Sequence, residues 1–350
     1  MKALAEYTRS QKLVYRWLIT GCVMIMLIVV IGGVTRLTQS GLSMVKWEPI
    51  VGTLPPLSNQ EWTEAFDLYK ASPEFEHYNS NFTLADFKKI FFWEYLHRLI
   101  ARLIGLVFIV PCIFFWVKGY FNTEMKKKVV IIFVLGVMQA IIGWFMVKSG
   151  LVDEPHVSHY RLATHLITAL TLIIYIFWVA LSLKYGKSEF KSRAGFYLKL
   201  FIAVVFIQLI YGAFVAGLKA GLYYNTFPKM GENWIPAGSS LIIKKEGGLA
   251  LMENPVLVQF IHRILAFLLL ILLGVFWIRK NYVSFLHQKR ALYGLTIAVI
   301  LQITLGIVTL LYRVPVTLGV LHQFVGMLVL LSAFYFLFTL GKRTVPQGQY

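Results

Sequence analysis

Eight runs of about 20 predominantly apolar residues, at 17–35, 93–117, 129–147, 162–183, 196–217, 256–278, 291–311 and 318–340, constrain this chain more than any other feature. In hydrocarbon the backbone must satisfy its own hydrogen bonds, so such runs are helices. The chain is therefore expected to be an all-α integral membrane protein with eight transmembrane helices. Composition agrees: 58% of residues are hydrophobic and only 14% are charged, too few to cover a water-facing surface. The first run, Trp17 to Val34, follows Lys2, Arg9, Lys12 and Arg16. It is long for a signal-peptide core and lacks a small-residue cleavage site, so it reads as a retained helix.

Eight crossings put both termini on one side. The segments on that side, 1–16, 118–128, 184–199, 279–290 and 341–350, hold 19 of the 34 Lys and Arg residues and only three acids. The rest of the chain carries 15 basic and 13 acidic residues. The net charge of +18 is thus sorted by membrane side, and the positive-inside rule makes the basic side cytoplasmic or, in a mitochondrion, matrix-facing. It is a topology signal, and nucleic acid is excluded as a partner. Cys22 and Cys112 both sit in apolar runs, where they read as small core residues and not as a disulfide or metal framework.

Two outer loops are long. Residues 36–92 contain seven acids, five bases and the aromatics Trp47, Trp62, Phe66, Tyr69 and Phe75. Leu57-Ser58-Asn59-Gln60-Glu61-Trp62 has the form of a capped helix start, and a second start lies at Thr83-Leu84-Ala85-Asp86. The loop 218–255 is rich in Gly and Pro. Both are expected to cap the outer face, the alternative being simple linkers.

The chain repeats itself. Gly32 to Leu42 aligns with Gly212 to Leu222, Glu94-Tyr95-Leu96-His97-Arg98-Leu99 with Gln259-Phe260-Ile261-His262-Arg263-Ile264, Gln139-x-x-x-Gly143 with Gln302-x-x-x-Gly306, and His165 with His322. The matches keep their order, so the chain divides into two pseudo-symmetric four-helix bundles, 17–183 and 196–340. These are joined by a cytoplasmic linker at 184–195 and flanked by cytoplasmic segments 1–16 and 341–350. Four crossings per half give a parallel repeat about an axis along the membrane normal.

Of eight histidines, His77, His156, His159 and His287 lie in the expected loops and read as solvated or interfacial. His97, His165, His262 and His322 each fall near the start of an even-numbered span. All four imidazoles therefore sit at similar depth near the outer leaflet, two per half. Ionisable groups inside a span are a functional signal, and facing imidazoles are what bis-histidine haem iron requires. Gly105, Gly143, Gly306, Gly319 and Gly326 supply clearance for a flat macrocycle, or simply allow close helix packing. Arg98 and Arg263 directly follow two of the histidines, with Arg102 one turn below Arg98. Either they contact anionic propionates or they snorkel to headgroups. Glu94 shares a helix face with His97, whereas its repeat partner is Gln259. It reads as a carboxylate that orients its neighbours or as a proton-transfer group present in one half only. Gln259 also breaks the second Glu-x-x-His that a di-iron bundle needs.

These motifs resemble one family. Gly32-Gly33-Val34-Thr35-Arg36-Leu37-Thr38-Gln39-Ser40-Gly41-Leu42-Ser43, then Trp47-Glu48-Pro49 and Gly52-Thr53-Leu54-Pro55-Pro56, are similar to the opening of haem A synthases. So are Trp93-Glu94-Tyr95-Leu96-His97-Arg98, Ser158-His159-Tyr160-Arg161-Leu162-Ala163-Thr164-His165, Gln259-Phe260-Ile261-His262-Arg263 and Leu321-His322-Gln323. The resemblance runs from about residue 15 to 340. The long first outer loop and the absence of a cysteine pair resemble the mitochondrial and proteobacterial branch.

The resemblance implies oxidation of a ring methyl of haem O to a formyl group, giving haem A for terminal oxidases, with water as oxygen source and an external electron acceptor. It implies substrate haem o between His97 and His165, a resident haem b between His262 and His322, and Glu94 as catalytic glutamate. His156 and His159 gain no role from it. By analogy haem O synthase and oxidase assembly factors are partners beside the lipid bilayer, and an oligomer is compatible; the short N-terminus without an Arg/Ser-rich leader favours a bacterial cell (inner) membrane over a mitochondrial inner membrane. Two other readings stand at this point: a di-haem b-type electron-transfer cytochrome, and a haem carrier or transporter.

Overall fold

A computed structural model of the chain describes residues 8–45, 54–148, 157–189, 193–278 and 283–344. Among them, eight helices are long and apolar enough to cross a membrane. They are α1 (Arg9–Leu37), α3 (Leu84–Val117), α4 (Thr123–Lys148), α5 (His159–Tyr185), α6 (Arg193–Gly217), α9 (Pro255–Ile278), α10 (Leu286–Leu311) and α11 (Val316–Leu340). The outer loops add α2 (Asn59–Lys70), α7 (Ser239–Glu246) and the single turn α8 (Ala250–Glu253). Trp47-Glu48-Pro49, Gly52-Thr53 and His156 lie outside the described residues.

Caps decide where the helices begin. Thr8 and Gln11 form a capping box that starts α1 eight residues before the expected span. Ser58 and Glu61 do the same for α2, and Thr83 and Asp86 for α3. The start foreseen at Thr83 does not open a separate loop helix. With no breaker between 84 and 93, it runs straight into the second span, so α3 projects by about 13 Å beyond the expected apolar run.

α1, α5, α6 and α11 form the centre of the bundle, and α3, α4, α9 and α10 lie outside. α1 packs on α5 within its half and on α11 across; α6 packs on α11 within its half and on α5 across. α3 leans on α1 as α9 leans on α6, and α4 pairs with α5 as α10 pairs with α11. Exchanging the halves leaves this pattern unchanged, as a two-fold repeat requires. The core runs through the central four helices, with Leu170, Ile173, Leu198, Phe201, Leu330 and Phe336 fully buried.

Polar contacts repair backbone defects inside the apolar region. Pro111 within α3 lacks the N–H that the carbonyl of residue 107 would accept from. The indole N–H of Trp17 on α1 donates to that carbonyl instead, at 2.9 Å. On the basic side, strand β1 (Lys187–Glu189) pairs antiparallel with β2 (Lys342–Thr344), tying the inter-half linker to the tail.

The first outer loop is a cap. Trp62, Phe66 and Tyr69 of α2 pack on Phe87 and Phe91 of the projecting part of α3, with ring centroids 5.1–6.3 Å apart. Tyr69 and Phe87 are wholly buried there. The cap expected over the outer face thus sits on α3 in particular.

Candidate paired-imidazole sites

Each of the four span histidines is received by a glycine on the neighbouring odd-numbered span. A Cβ added to Gly32 of α1 would lie 3.1 Å from His97 Cε1. The same atom on Gly143 of α4 would be 2.8 Å from His165 Cε1, on Gly212 of α6 3.3 Å from His262 Cε1, and on Gly306 of α10 2.8 Å from His322 Cε1. Carbon atoms ordinarily meet at about 3.5–4.0 Å, so only glycine lets these rings come so near the backbone. One turn before each glycine stands Ile28, Gln139, Gln208 or Gln302. The amide nitrogen of Gln139 is 3.1 Å from His165 Nδ1, and those of Gln208 and Gln302 are 3.4 Å from Nε2 of His262 and His322. The common pattern is Ile/Gln-x-x-x-Gly on one helix facing His on the next.

The rings come together in pairs. His262 and His322 have centroids 6.5 Å apart and planes inclined by 75°. His97 and His165 are near enough to interact electrostatically. The outer helices bearing or backing each pair, α3 with α4 and α9 with α10, make few or no contacts with each other. Each pair therefore lies beside a slot between two outer helices that barely touch.

The approach to both slots is built in the same way. After α1 the chain folds back so that Arg98 donates to the Met44 carbonyl at 3.2 Å. After α6 it does so again, and Arg263 donates to the Tyr224 carbonyl at 2.9 Å. Met44 and Tyr224 are equivalent positions of the repeat. One residue changes the chemistry. Glu94 is buried, accepts from Ser43 Oγ at 2.7 Å and from the Met44 N–H at 2.9 Å, and pairs with Arg98 at 2.6 Å. Gln259, at the equivalent place, donates its amide to the Tyr224 carbonyl at 3.1 Å. A buried carboxylate with three donors thus stands over the N-terminal pair and a neutral amide over the C-terminal pair. Arg98 and Arg263 are held by loop carbonyls and Glu94, which gives these arginines work beyond the snorkelling or anion contact expected of them. Arg263 also reaches the carbonyls of Thr226 and Lys229.

The residues fit a haem group. The rings of His97, His262 and His322 are turned to the backbone of Ile28, Gln208 and Gln302, which leaves each ring a second nitrogen for a ligand. Buried Oε1 atoms of Gln208, Gln302 and Gln259 lack a hydrogen-bond partner here. Unpaired groups of this kind are costly in an apolar interior. Neutral imidazole is a metal ligand through either ring nitrogen. Two metal–nitrogen bonds of about 2 Å, with each centroid roughly 1 Å beyond, separate two axial imidazoles by about 6 Å, close to the spacing of His262 and His322. Among the described residues no group of three or more His, Cys, Asp or Glu gathers as a metal cluster.

Other residues differ from expectation. His159 is not a solvated loop residue. It opens α5, its backbone and Cβ press against Gly217, and its ring meets Phe214 at 5.1 Å. Close contact between α5 and α6 buries it. His287 lies in the first turn of α10, stacked on Phe285, and His77 is exposed in the turn Phe75–Asn79. Of the glycines singled out for clearance, Gly143 and Gly306 face imidazoles. Gly105 has nothing near it, Gly319 meets Leu37, and Gly326 meets Gln302. Gly32 and Gly212 were legible as repeat landmarks, and reading Ile28 and Gln208 four residues before them would have revealed their role. Gln323, beside His322, donates to the Val29 carbonyl at 2.8 Å and presses on Gly33, next to the glycine that receives His97. The two sites are therefore in mechanical contact across the half interface.

Fold and site together define a multi-pass membrane protein with two paired-imidazole slots, one of them acidic. The chain belongs to the cytochrome oxidase assembly protein family (COX15-CtaA), whose model matches residues 15–334. It is 44% identical to a heme A synthase of Flavobacterium psychrophilum over 95% of this chain and all of that one. It is also 44% identical to a heme A synthase of Nitrosospira multiformis over 92% of each chain. A Wolbachia pipientis heme A synthase is 41% identical over 98% of this chain and 97% of its own.

Proposed function

We propose that this chain is a haem A synthase, an oxidoreductase that converts the ring methyl of haem O to a formyl group. Substrate haem o is held by His97 and His165, and a resident haem b by His262 and His322. The observation that carries the assignment of roles is the exchange of Glu94 for Gln259 in otherwise matched sites: two electron-relay sites would need no such difference. The reaction balances as methyl plus water giving formyl, four protons and four electrons, the electrons leaving to an external acceptor. When bound, the haem irons supply the redox chemistry.

The protein's own contributions follow from its contacts. His97 and His165 fix the substrate ring between α3 and α5, with Gly32 and Gly143 setting the depth of each imidazole. Glu94, one helical turn from His97, accepts protons near the reacting face. Ser43, the Met44 N–H and Arg98 hold its carboxylate in one orientation. The aromatic cap of α2 on α3 restricts outer water over this half. A lipid-soluble substrate suits a slot between two outer helices that barely touch. Both termini are cytoplasmic in this reading, the membrane is a bacterial inner membrane, and haem O synthase and oxidase assembly factors are the neighbouring proteins.

The test is production of haem A in cells that make haem O but lack their own synthase. The chain is expected to restore haem A, and Glu94→Gln to keep both haems bound while forming none. Two low-spin haems with no haem A from the unaltered chain would favour an electron-transfer cytochrome instead.

A further inference from the structure

The described residues contain only two buried carboxylates, Glu94 and Glu74, and both border one aromatic cluster: Tyr69 and Phe75 beside Glu74 pack with Met44 and Tyr95 beside Glu94. Glu74 is contributed by the first outer loop, 20 residues before Glu94, and is 7% exposed. Its charge and that of Glu94 act on each other. Glu94 has Arg98, but no lysine or arginine forms an ion pair with Glu74 among the described residues. Its hydrogen bond comes from the hydroxyl of wholly buried Tyr69, at 3.2 Å, and that hydroxyl accepts from Asn79 Nδ2 at 2.7 Å. Among the described residues of this loop, Glu76 and His77 on the same turn are exposed, and Lys70 is exposed and paired with Asp67. The acids of the second outer loop, Glu232, Glu246 and Glu253, are all exposed. A buried acid beside the site is thus, like Glu94 itself, a property of the N-terminal half alone.

We propose that Glu74 is the proton-exchanging partner of Glu94, passing protons between the N-terminal imidazole site and the outer face beneath the α2 cap. This rests on the oxidation proposed above. That reaction releases four protons under a cap, and they need a path outward. In each transfer the O–H bond at Glu94 breaks and one forms at Glu74, with one proton then lost to outer water. Two buried carboxylates near one another, of which only Glu94 has a guanidinium partner, do not both carry charge cheaply, so one proton is readily accommodated between them. Burial first, and the Glu94 charge second, push Glu74 up to about 7, where gaining and losing a proton are nearly balanced. Glu74 acts through Glu94 and does not touch the substrate.

The experiment follows the carboxylic acid carbonyl band of the full-length protein in lipid nanodiscs by infrared spectroscopy across pH. The same variants are assayed for haem A formation. The unaltered chain is expected to show a carboxyl titrating near neutrality that disappears in Glu74→Gln. That variant should keep its haem spectrum, form haem A about tenfold or more slowly and lose the pH dependence of the rate, with Glu74→Asp recovering part of it. Tyr69→Phe, which leaves the carboxyl in place but removes its donor, should move the band's midpoint upward, and this answers the case in which Glu74→Gln does not fold. A Glu74→Gln chain that forms haem A at the original rate and pH profile, or a band that survives the substitution, overturns the inference and leaves the synthase reading intact. Failure of the unaltered chain to form haem A overturns both.

Discussion

Gly306→Ala puts the reading of the glycine-backed imidazoles at risk most sharply. The new methyl would sit 2.8 Å from His322 Cε1 and 3.4 Å from Nδ1, against a comfortable carbon separation of about 3.5–4.0 Å. The ring must retreat by roughly 0.7–1.2 Å, beyond the tolerance of about 0.5 Å within which a ligand keeps its geometry. Overpacking of this kind costs about 1–3 kcal/mol, which is about 5- to 150-fold in haem affinity. At Gly212 the added carbon would be 3.3 Å from His262 Cε1, a few tenths of an ångström too close. Gly212→Ala should therefore weaken haem binding by less than about fivefold. Gly274 of α9 has nothing within 4 Å, and Gly274→Ala serves as the neutral control. Alanine is the better helix former by about 1 kcal/mol, so thermal stability of the haem-free chain should not fall in parallel with affinity. The assay is haem retention per chain after purification, with electron paramagnetic resonance of the low-spin signal. Equal retention by Gly306→Ala and Gly274→Ala, or a larger loss at Gly212, would refute the reasoning.

Three further outcomes are expected. Trp17→Phe removes the donor that serves the Val107 carbonyl and should cost about 1–3 kcal/mol in detergent unfolding. Adding Pro111→Ala restores an intrahelical N–H and should recover part of the loss. Arg36 donates to the carbonyls of Gly217 at 3.0 Å and Ala216 at 3.4 Å at the end of α6, so Arg36→Met should lower stability by about 1.5–3 kcal/mol while both haems stay bound. Glu74, with an ordinary value of 4.5 and a folded one of about 7, holds a proton in the folded state that the unfolded state has lost. Stability of the capped half should thus be highest below pH about 4.5, fall as pH rises toward 7 and level off above. Glu74→Gln should remove that slope in a thermal unfolding series.

The spans, the two halves and the four histidines were legible because membrane helices announce themselves by length and the repeat by ordered matches. The Ser58 and Thr83 caps were also legible, since a hydroxyl three residues before an acid is a local signal. That α3 continues unbroken from Thr83 was not, because polar residues at 86, 88 and 89 hide the join from a hydropathy reading. The burial of His159 depends on α5 meeting α6 closely at Gly217, a tertiary fact without a local signature. The pairing of Arg98 with Glu94 was available from their i, i+4 spacing but competed with two other uses of an interfacial arginine. Glu74 is one of seven acids in its loop, and nothing short of the folded cap distinguishes it from exposed Glu61, Glu64, Asp67 and Glu76.

The central claim is that two haems of different kind are gripped by His97 with His165 and by His262 with His322. Mass analysis of pigment extracted from chain purified with and without a haem O supply addresses it directly. Haem b should be present in both preparations and lost in His262→Ala; haem o or haem a should appear only with the supply and vanish in His97→Ala. Pigment-free protein in both preparations, or identical haem content in all variants, would contradict it.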